Sequence, residues 1–121
     1  MVQLRRLRLA VIVVQLLVAV PVGWAADLAI SVVSVSSSVA PFSDATLEIQ
    51  TAPGATCAVT VHYKSGPSRA KGLVPKTADG RGRIVWRWRV GSNTTAGRWP
   101  IDVTCEKGET RGNLRLSFEV R

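Results

Sequence analysis

Arg83-Ile84-Val85-Trp86-Arg87-Trp88-Arg89-Val90 is the stretch that decides how this chain folds. Its apolar members Ile84, Trp86, Trp88 and Val90 fall at every second position, with Arg83, Arg87 and Arg89 between them. A period of two is that of a β-strand, whose side chains point alternately to the two faces of a sheet. The same pattern says which face goes inward. Turning the tryptophans to solvent would turn three arginines into the core, and each unpaired buried charge costs several kcal/mol. Trp86 and Trp88 are therefore expected in the core. Arg83, Arg87 and Arg89 form a basic ridge outside, with Arg81 in the turn before them.

The period of two recurs along the chain. Leu47 and Ile49 alternate with Thr46, Glu48 and Gln50; Cys57, Val59, Val61 and Tyr63 alternate with Ala58, Thr60 and His62. Trp99, Ile101, Val103 and Cys105 form a fourth set, and Leu114, Leu116, Phe118 and Val120 a fifth. Segments with one apolar and one polar face are half-buried antiparallel strands. A further strand starts at Leu28 and Ile30, but Val32, Val33 and Val35 cannot share a face, so a bulge or a switch between sheets is expected there. Pro53-Gly54 predicts a tight turn. Asp79-Gly80 predicts a hairpin joining the Ile84 strand to residues 73–77, where Pro75 demands an edge position. Gly91, Gly97 and Gly108 mark the remaining turns. No ten-residue window carries a helical stripe, so only a second sheet is available to cover the first. The expected architecture is an all-β antiparallel two-sheet sandwich of six or seven short strands.

The start of the 121-residue chain reads differently. Arg5, Arg6 and Arg8 precede an apolar run over residues 9–22, and Gly23-Trp24-Ala25 puts small residues at −3 and −1 of a cut after Ala25. This is the pattern of a secretory signal-peptide helix over residues 1–25, leaving one domain at 26–121. Losing 25 residues and three arginines leaves 96 residues and takes the formal charge from +8 to +5. The alternative is an uncleaved anchor, the one case in which a membrane is a partner. Either way the domain is secreted or held at the cell surface. Two cysteines, Cys57 and Cys105, in a short exported chain read as one disulfide. Linking positions 48 apart removes unfolded-state entropy equivalent to about 4 kcal/mol.

Ala52-Pro53-Gly54-Ala55-Thr56-Cys57, Tyr63-Lys64-Ser65-Gly66-Pro67-Ser68 and Pro75-Lys76-Thr77-Ala78-Asp79 together carry a resemblance. Trp86-Arg87-Trp88-Arg89-Val90-Gly91, Thr95-Ala96-Gly97-Arg98-Trp99-Pro100 and Val103-Thr104-Cys105 continue it. The run resembles a module of bacterial secreted and cell-surface proteins. The resemblance implies an immunoglobulin-like sandwich, often appended to other exported domains, with no catalytic residues and no defined ligand. The chain departs from antibody-type domains, which place a Trp roughly a dozen residues after the first Cys and a Tyr two before the second. Here Trp86 comes 29 residues after Cys57, and Val103 holds the Tyr position. The cysteines are accordingly expected to join neighbouring strands of one sheet, or the sheet ends.

Chemistry finds little purchase. A Ser-His-Asp arrangement would need His62, the one histidine, which sits at a polar-phase strand position and reads as an exposed strand residue. The eight acids are scattered, and no phosphate-cradling Gly loop or metal-ligand cluster is present. Asp79-Gly80-Arg81-Gly82 is a poor calcium loop, with one carboxylate beside Arg81 and Arg83. No enzyme activity and no cofactor are expected. Asn93-Thr94-Thr95 fits a glycosylation sequon, and in a bacterial chain reads as a turn.

The expectation is a non-catalytic exported interaction or spacer module. The alternative is a binder of acidic or carbohydrate cell-surface polymers through Arg81, Arg83, Arg87 and Arg89. Trp99, at a strand start near a turn, is the aromatic most open to a sugar. Partners on these readings are an anionic surface polymer or another exported protein. Nucleic acid is the weakest choice, because the outer face lacks interleaved aromatics. A third reading, a small secreted inhibitor, would use the loop at 64–71.

Overall fold

The computed structural model describes residues 27–121. The expected signal segment 1–25 and its cut lie outside the described residues. Those described form nine β-strands and no helix: β1 Ser31–Val35, β2 Ser38–Val39, β3 Asp44–Gln50, β4 Thr56–Tyr63, β5 Gly66–Pro67, β6 Lys76–Thr77, β7 Arg83–Arg89, β8 Gly97–Lys107 and β9 Thr110–Val120. Six of these are five residues or longer; β2, β5 and β6 are two-residue bridges, which is why nine strands stand where six or seven were expected.

Two sheets share one core. The smaller has the order β1-β3-β7, and the larger runs β2-β9-β8-β4-β5, with β6 also on β4. Opposite β7, the inward residues of β3 are graded to its side chains: Ala45 faces Trp88, Leu47 faces Trp86 and Ile49 faces Ile84. The smallest residue thus lies beside one of the two indoles. The larger sheet contributes Val59, Val61, Ile101, Val103, Phe118 and Val120 to the same cluster. Trp88 meets Phe118 edge to face across the sheets, ring centroids 5.6 Å apart, an arrangement that aromatic quadrupoles favour. Trp86 and Trp88 are 0% and 2% exposed, while Arg87 and Arg89 between and after them face solvent.

The first strand combines both expected devices. Its register on β3 shifts between Val32 and Ser34, so Val33 is a bulge. The chain then leaves this sheet, and β2 pairs in parallel with β9 of the other. Regular strand begins only at Ser31, because Leu28 instead donates its N–H to the Arg111 carbonyl at the larger sheet. Pro53-Gly54 makes the expected turn, with Ala55 N–H donating to the Ala52 carbonyl and Gly54 at φ 81°, the value a type II turn requires at that position.

The Asp79-Gly80 hairpin does not form. Lys76 and Thr77 pair with Cys57 and Thr56 of β4, in the other sheet, and β7 pairs with β3. Asp79 instead closes a local loop: its Oδ1 accepts from the N–H groups of Arg81 and Arg83 at 2.8 and 2.9 Å. Residues 70–76 still run along the free edge of β7, without a ladder. Trp86 Nε1 donates to the Val74 carbonyl at 2.8 Å, and Lys76 Nζ to the Val85 carbonyl at 2.7 Å. Gly72, at φ 95°, lies so close that a Cβ there would collide with the Arg87 carbonyl oxygen. This strap covers the edge of β7, which would otherwise offer its unpaired groups to another chain.

Cys57 and Cys105 are bonded, directly opposite each other on antiparallel β4 and β8. The bond therefore lies within the larger sheet, between neighbouring strands, and does not span the two sheets.

Candidate functional site

Two features stand out, and one arginine belongs to both. The first is the outer face of the smaller sheet. Arg83, Arg87 and Arg89 project from β7 on the side opposite the tryptophans, and Arg81 is exposed in the preceding turn. The ridge is partly neutralised by β3. Glu48 takes Arg83 Nη1 at 2.8 Å, while Asp44 lies 3.1 Å from Arg89 and 3.8 Å from Arg87. Arg83 Nε is buried with no hydrogen-bond partner. Exposed pairs of this kind contribute about 0–1 kcal/mol each, so the face remains four arginines against two carboxylates.

The second feature is a cleft at the end of the sandwich where β4 and β7 finish. Two adjoining hollows, of 660 and 350 Å³, share Tyr63, Ser65, Gly91 and Thr94. One wall is the 64–70 turn around β5; the other is the 91–95 loop. Tyr63 is the fixed point between them. Its ring meets those of Trp99 and Phe118 edge to face, with centroids 6.3 and 6.1 Å away. Its hydroxyl accepts the Trp88 indole N–H at 3.2 Å. Burial raises the phenol pKa above its usual value, only partly offset by that hydrogen bond, so Tyr63 stays neutral across physiological pH. The walls supply Ser65, Ser92, Asn93, Thr94 and Thr95, with Lys64, Arg69 and Arg89 as the charged members and no carboxylate.

Arg89 connects cleft and ridge. Its guanidinium carbon lies 5.0 Å from the centroid of the Phe42 ring, and Nε donates to Asp44 at 3.1 Å. Phe42 is 65% exposed and is, among the described residues, the non-glycine residue with positive φ, 65°, a conformation that costs an L-residue about 1–2 kcal/mol. Its N–H donates to the Val90 carbonyl at 2.8 Å, and Val90 N–H to that of Ser43, so the strand end holds the turn in place. Nothing in the period-two pattern points to Phe42. The signal available was an aromatic outside any alternation, next to Pro41 and Ser43.

The groups most able to do acid–base chemistry are engaged with one another. His62 lies on the outer face of the larger sheet, half-buried, not fully exposed as the strand phase suggested, and its Nε2 is 2.9 Å from Asp102 Oδ2. Arg115 takes both oxygens of the same carboxylate, at 2.7 and 2.8 Å. Its hydrogen bonds hold the Asp102 carboxyl below the ordinary carboxylate range, and its charge adds to them. The stabilisation from this pair is present at neutral pH and fades as pH falls through the lowered value. Asp79 is likewise held low by backbone N–H donors from Arg83 and Arg81. A carboxylate so committed is a poor cation ligand. Trp99 is half-buried, its indole N–H donating to the Thr95 carbonyl at 2.8 Å.

No family model matches the chain, and no curated protein sequence matches it. Its fold does have counterparts. The chain is similar to part of the chitinase ChiW from Paenibacillus sp. str. FPU-7, a bacterial cell-surface-expressed multi-modular enzyme, with a TM-score of 0.52 and 13% identity. The match takes in 82% of this chain and 9% of that one. A family 123 glycoside hydrolase from Clostridium perfringens gives a TM-score of 0.43 at 9% identity, over 78% of this chain and 27% of the other. At 13% identity the likeness to ChiW is one of fold alone, and the chain spans 9% of that enzyme's length.

Proposed function

We propose that the chain is a non-catalytic exported module of immunoglobulin-like type, acting as an interaction or spacer unit at the surface of a bacterial cell. The observation that carries this reading is the commitment of its reactive side chains to the fold. His62 is held by Asp102, Asp102 by Arg115, Asp79 by its own turn, and the two cysteines by each other. A fold shared with 9% of a multi-modular cell-surface enzyme supports the role of a supporting module, and a disulfide suits an oxidising compartment. The test is turnover. The purified protein is expected to release no product from chitin, peptidoglycan or acidic polysaccharides. Hydrolysis that vanishes in Asp102→Asn or His62→Gln would overturn the reading.

A second reading adds a ligand: an acidic surface polymer held by the basic face. It rests on Arg83, Arg87 and Arg89 of β7, with Arg81 in the turn before them, set against the two carboxylates of β3. Because Arg89 also borders the cleft, the ridge is best tested through the other three. Arg81→Gln/Arg83→Gln/Arg87→Gln is expected to fold, since substitutions at exposed Arg81 and Arg87 usually shift stability by less than about 0.5 kcal/mol each, and half-buried Arg83 gives up one ion pair to Glu48 and a buried Nε that has no partner. The variant should lose salt-sensitive retention on an anionic polymer. High salt should mimic the loss, because the screening length falls to about 3 Å at 1 M. Retention that survives both treatments does not come from the ridge.

A further inference from the structure

We propose that the cleft between the 64–70 and 91–95 loops binds one carboxylated sugar residue of an acidic polysaccharide. This rests on the reading of the chain as an exported interaction module and deepens it by naming a second site and its ligand. The size suits: hollows of 660 and 350 Å³ lie in the range of small-ligand sites, about 300–1,000 Å³. The lining gives the chemistry. Ser65, Ser92, Thr94, Thr95 and Asn93 can each both donate and accept hydrogen bonds. Sugar hydroxyls, which also do both, are matched by such groups. An alkyl phosphate, which accepts only, would leave half of that capacity unused.

The charge is also specified. Lys64, Arg69 and Arg89 are the charged lining residues. A neutral sugar would leave that excess unused, whereas a carboxylate on the ring would meet a planar guanidinium, which it can engage in two parallel hydrogen bonds. Arg89 is oriented for this before any ligand arrives, held between the Phe42 ring and Asp44. Such pre-ordering lowers the entropy cost of binding. It also explains the Phe42 turn: an exposed aromatic kept at positive φ adds nothing to the core, but it flanks the arginine where ridge and cleft meet. Strain held at a surface turn is a recurrent mark of a binding site.

Tyr63 is the floor, fixed by Trp88, Trp99 and Phe118. Its hydroxyl already accepts the indole N–H, so its own hydrogen remains to be donated.

The probe is polygalacturonate, with dextran and dextran sulfate as neutral and sulfated controls, and affinity electrophoresis of the purified protein as the readout. Wild-type protein should bind polygalacturonate, ignore dextran and prefer the carboxylated to the sulfated chain. Thr94→Trp, which fills the cleft from an exposed loop, and Lys64→Gln/Arg69→Gln, which leaves its shape, should each weaken polygalacturonate binding about tenfold or more, the loss expected for one charged hydrogen bond. Unchanged thermal unfolding of either variant separates this from misfolding. The Arg81→Gln/Arg83→Gln/Arg87→Gln variant should retain the preference for the carboxylated chain. If that ridge variant loses all binding while Thr94→Trp keeps it, the ridge reading stands and the cleft proposal is overturned. Equal binding of polygalacturonate and dextran sulfate, or none to polygalacturonate, overturns it as well, while the non-catalytic reading remains tested by turnover alone.

Discussion

Changing Cys57 and Cys105 together to alanine, or reducing the bond between them, is expected to lower the free energy of unfolding by about 4 kcal/mol. The bond joins residues 48 apart, and the loop it closes contains β5, β6 and β7. That loop leaves the larger sheet, contributes an edge strand to the smaller one, and returns as β8. Without the link, all of this chain must be ordered from a far less restricted unfolded state. The native ladder between β4 and β8 gives no substitute, since it exists only after folding. Single domains have net stabilities of about 5–15 kcal/mol, so the loss is a large share of the total. In a domain of this size each kcal/mol corresponds to about 4–8 °C in Tm, and the fall amounts to some tens of degrees. Urea unfolding followed by circular dichroism, with and without reductant, measures it. A reduced protein as stable as the oxidised one would mean that β4 and β8 are held by other means, and that the cross-strand placement of the cysteines contributes nothing to stability.

The parts of the fold that the sequence made legible are those where one face of a strand is buried. β3, β4, β7, β8 and β9 all carry the period of two, and the argument from misplaced arginine charge puts Trp86 and Trp88 inside, where they are. The bulge at Val33 was legible for the same reason, as a break in phase. β2, β5 and β6 were not, because two residues carry no period. Residues 73–77 were misassigned because Asp79-Gly80 speaks only of a local turn. The partner of Lys76 and Thr77 is chosen by contacts from elsewhere: Ala78 N–H donates to the Ala55 carbonyl and Gly54 N–H to that of Ala78, drawing the segment to β4.

The candidate site shows the same limit at a larger scale. The ridge arginines could be placed on one face from their spacing, but which of them Glu48 and Asp44 meet depends on the register of β3 against β7, which spacing does not set. Both walls of the cleft drew notice separately, one as an exposed loop and the other as Asn93-Thr94-Thr95. They meet because β4 and β7, from different sheets, end side by side, which is a consequence of sheet packing and not of any local pattern. Tyr63 belongs to the inward phase of β4 and, at the last residue of that strand, lies where the core opens into the cleft.

Trp86→Ala is expected to cost about 3–5 kcal/mol, the range for removing a buried indole. Trp86 is fully buried in β7, opposite Leu47, and β7 is an edge strand of a sheet of only three. Two losses coincide at this side chain. The first is a cavity between the sheets, which Leu47 and its neighbours can refill only in part because the disulfide-linked larger sheet on the far side is fixed. The second is the indole N–H bond to the Val74 carbonyl, which ties residues 70–76 along the edge of β7. Trp86→Phe separates the two, because it keeps most of the ring volume and loses the donor. Val74 is half exposed and its carbonyl can turn to water, so this variant should lose about 1–2 kcal/mol. Thermal unfolding ranks the three proteins, and amide exchange along β7 reports on the strap. In Trp86→Phe, β7 amides should exchange faster while the larger sheet keeps its protection, since local opening needs only the edge cover to lift. If Trp86→Ala costs less than about 1 kcal/mol, the indole is not in the core. The arginines would then face inward, and both the ridge and the edge strap would have to be reassigned.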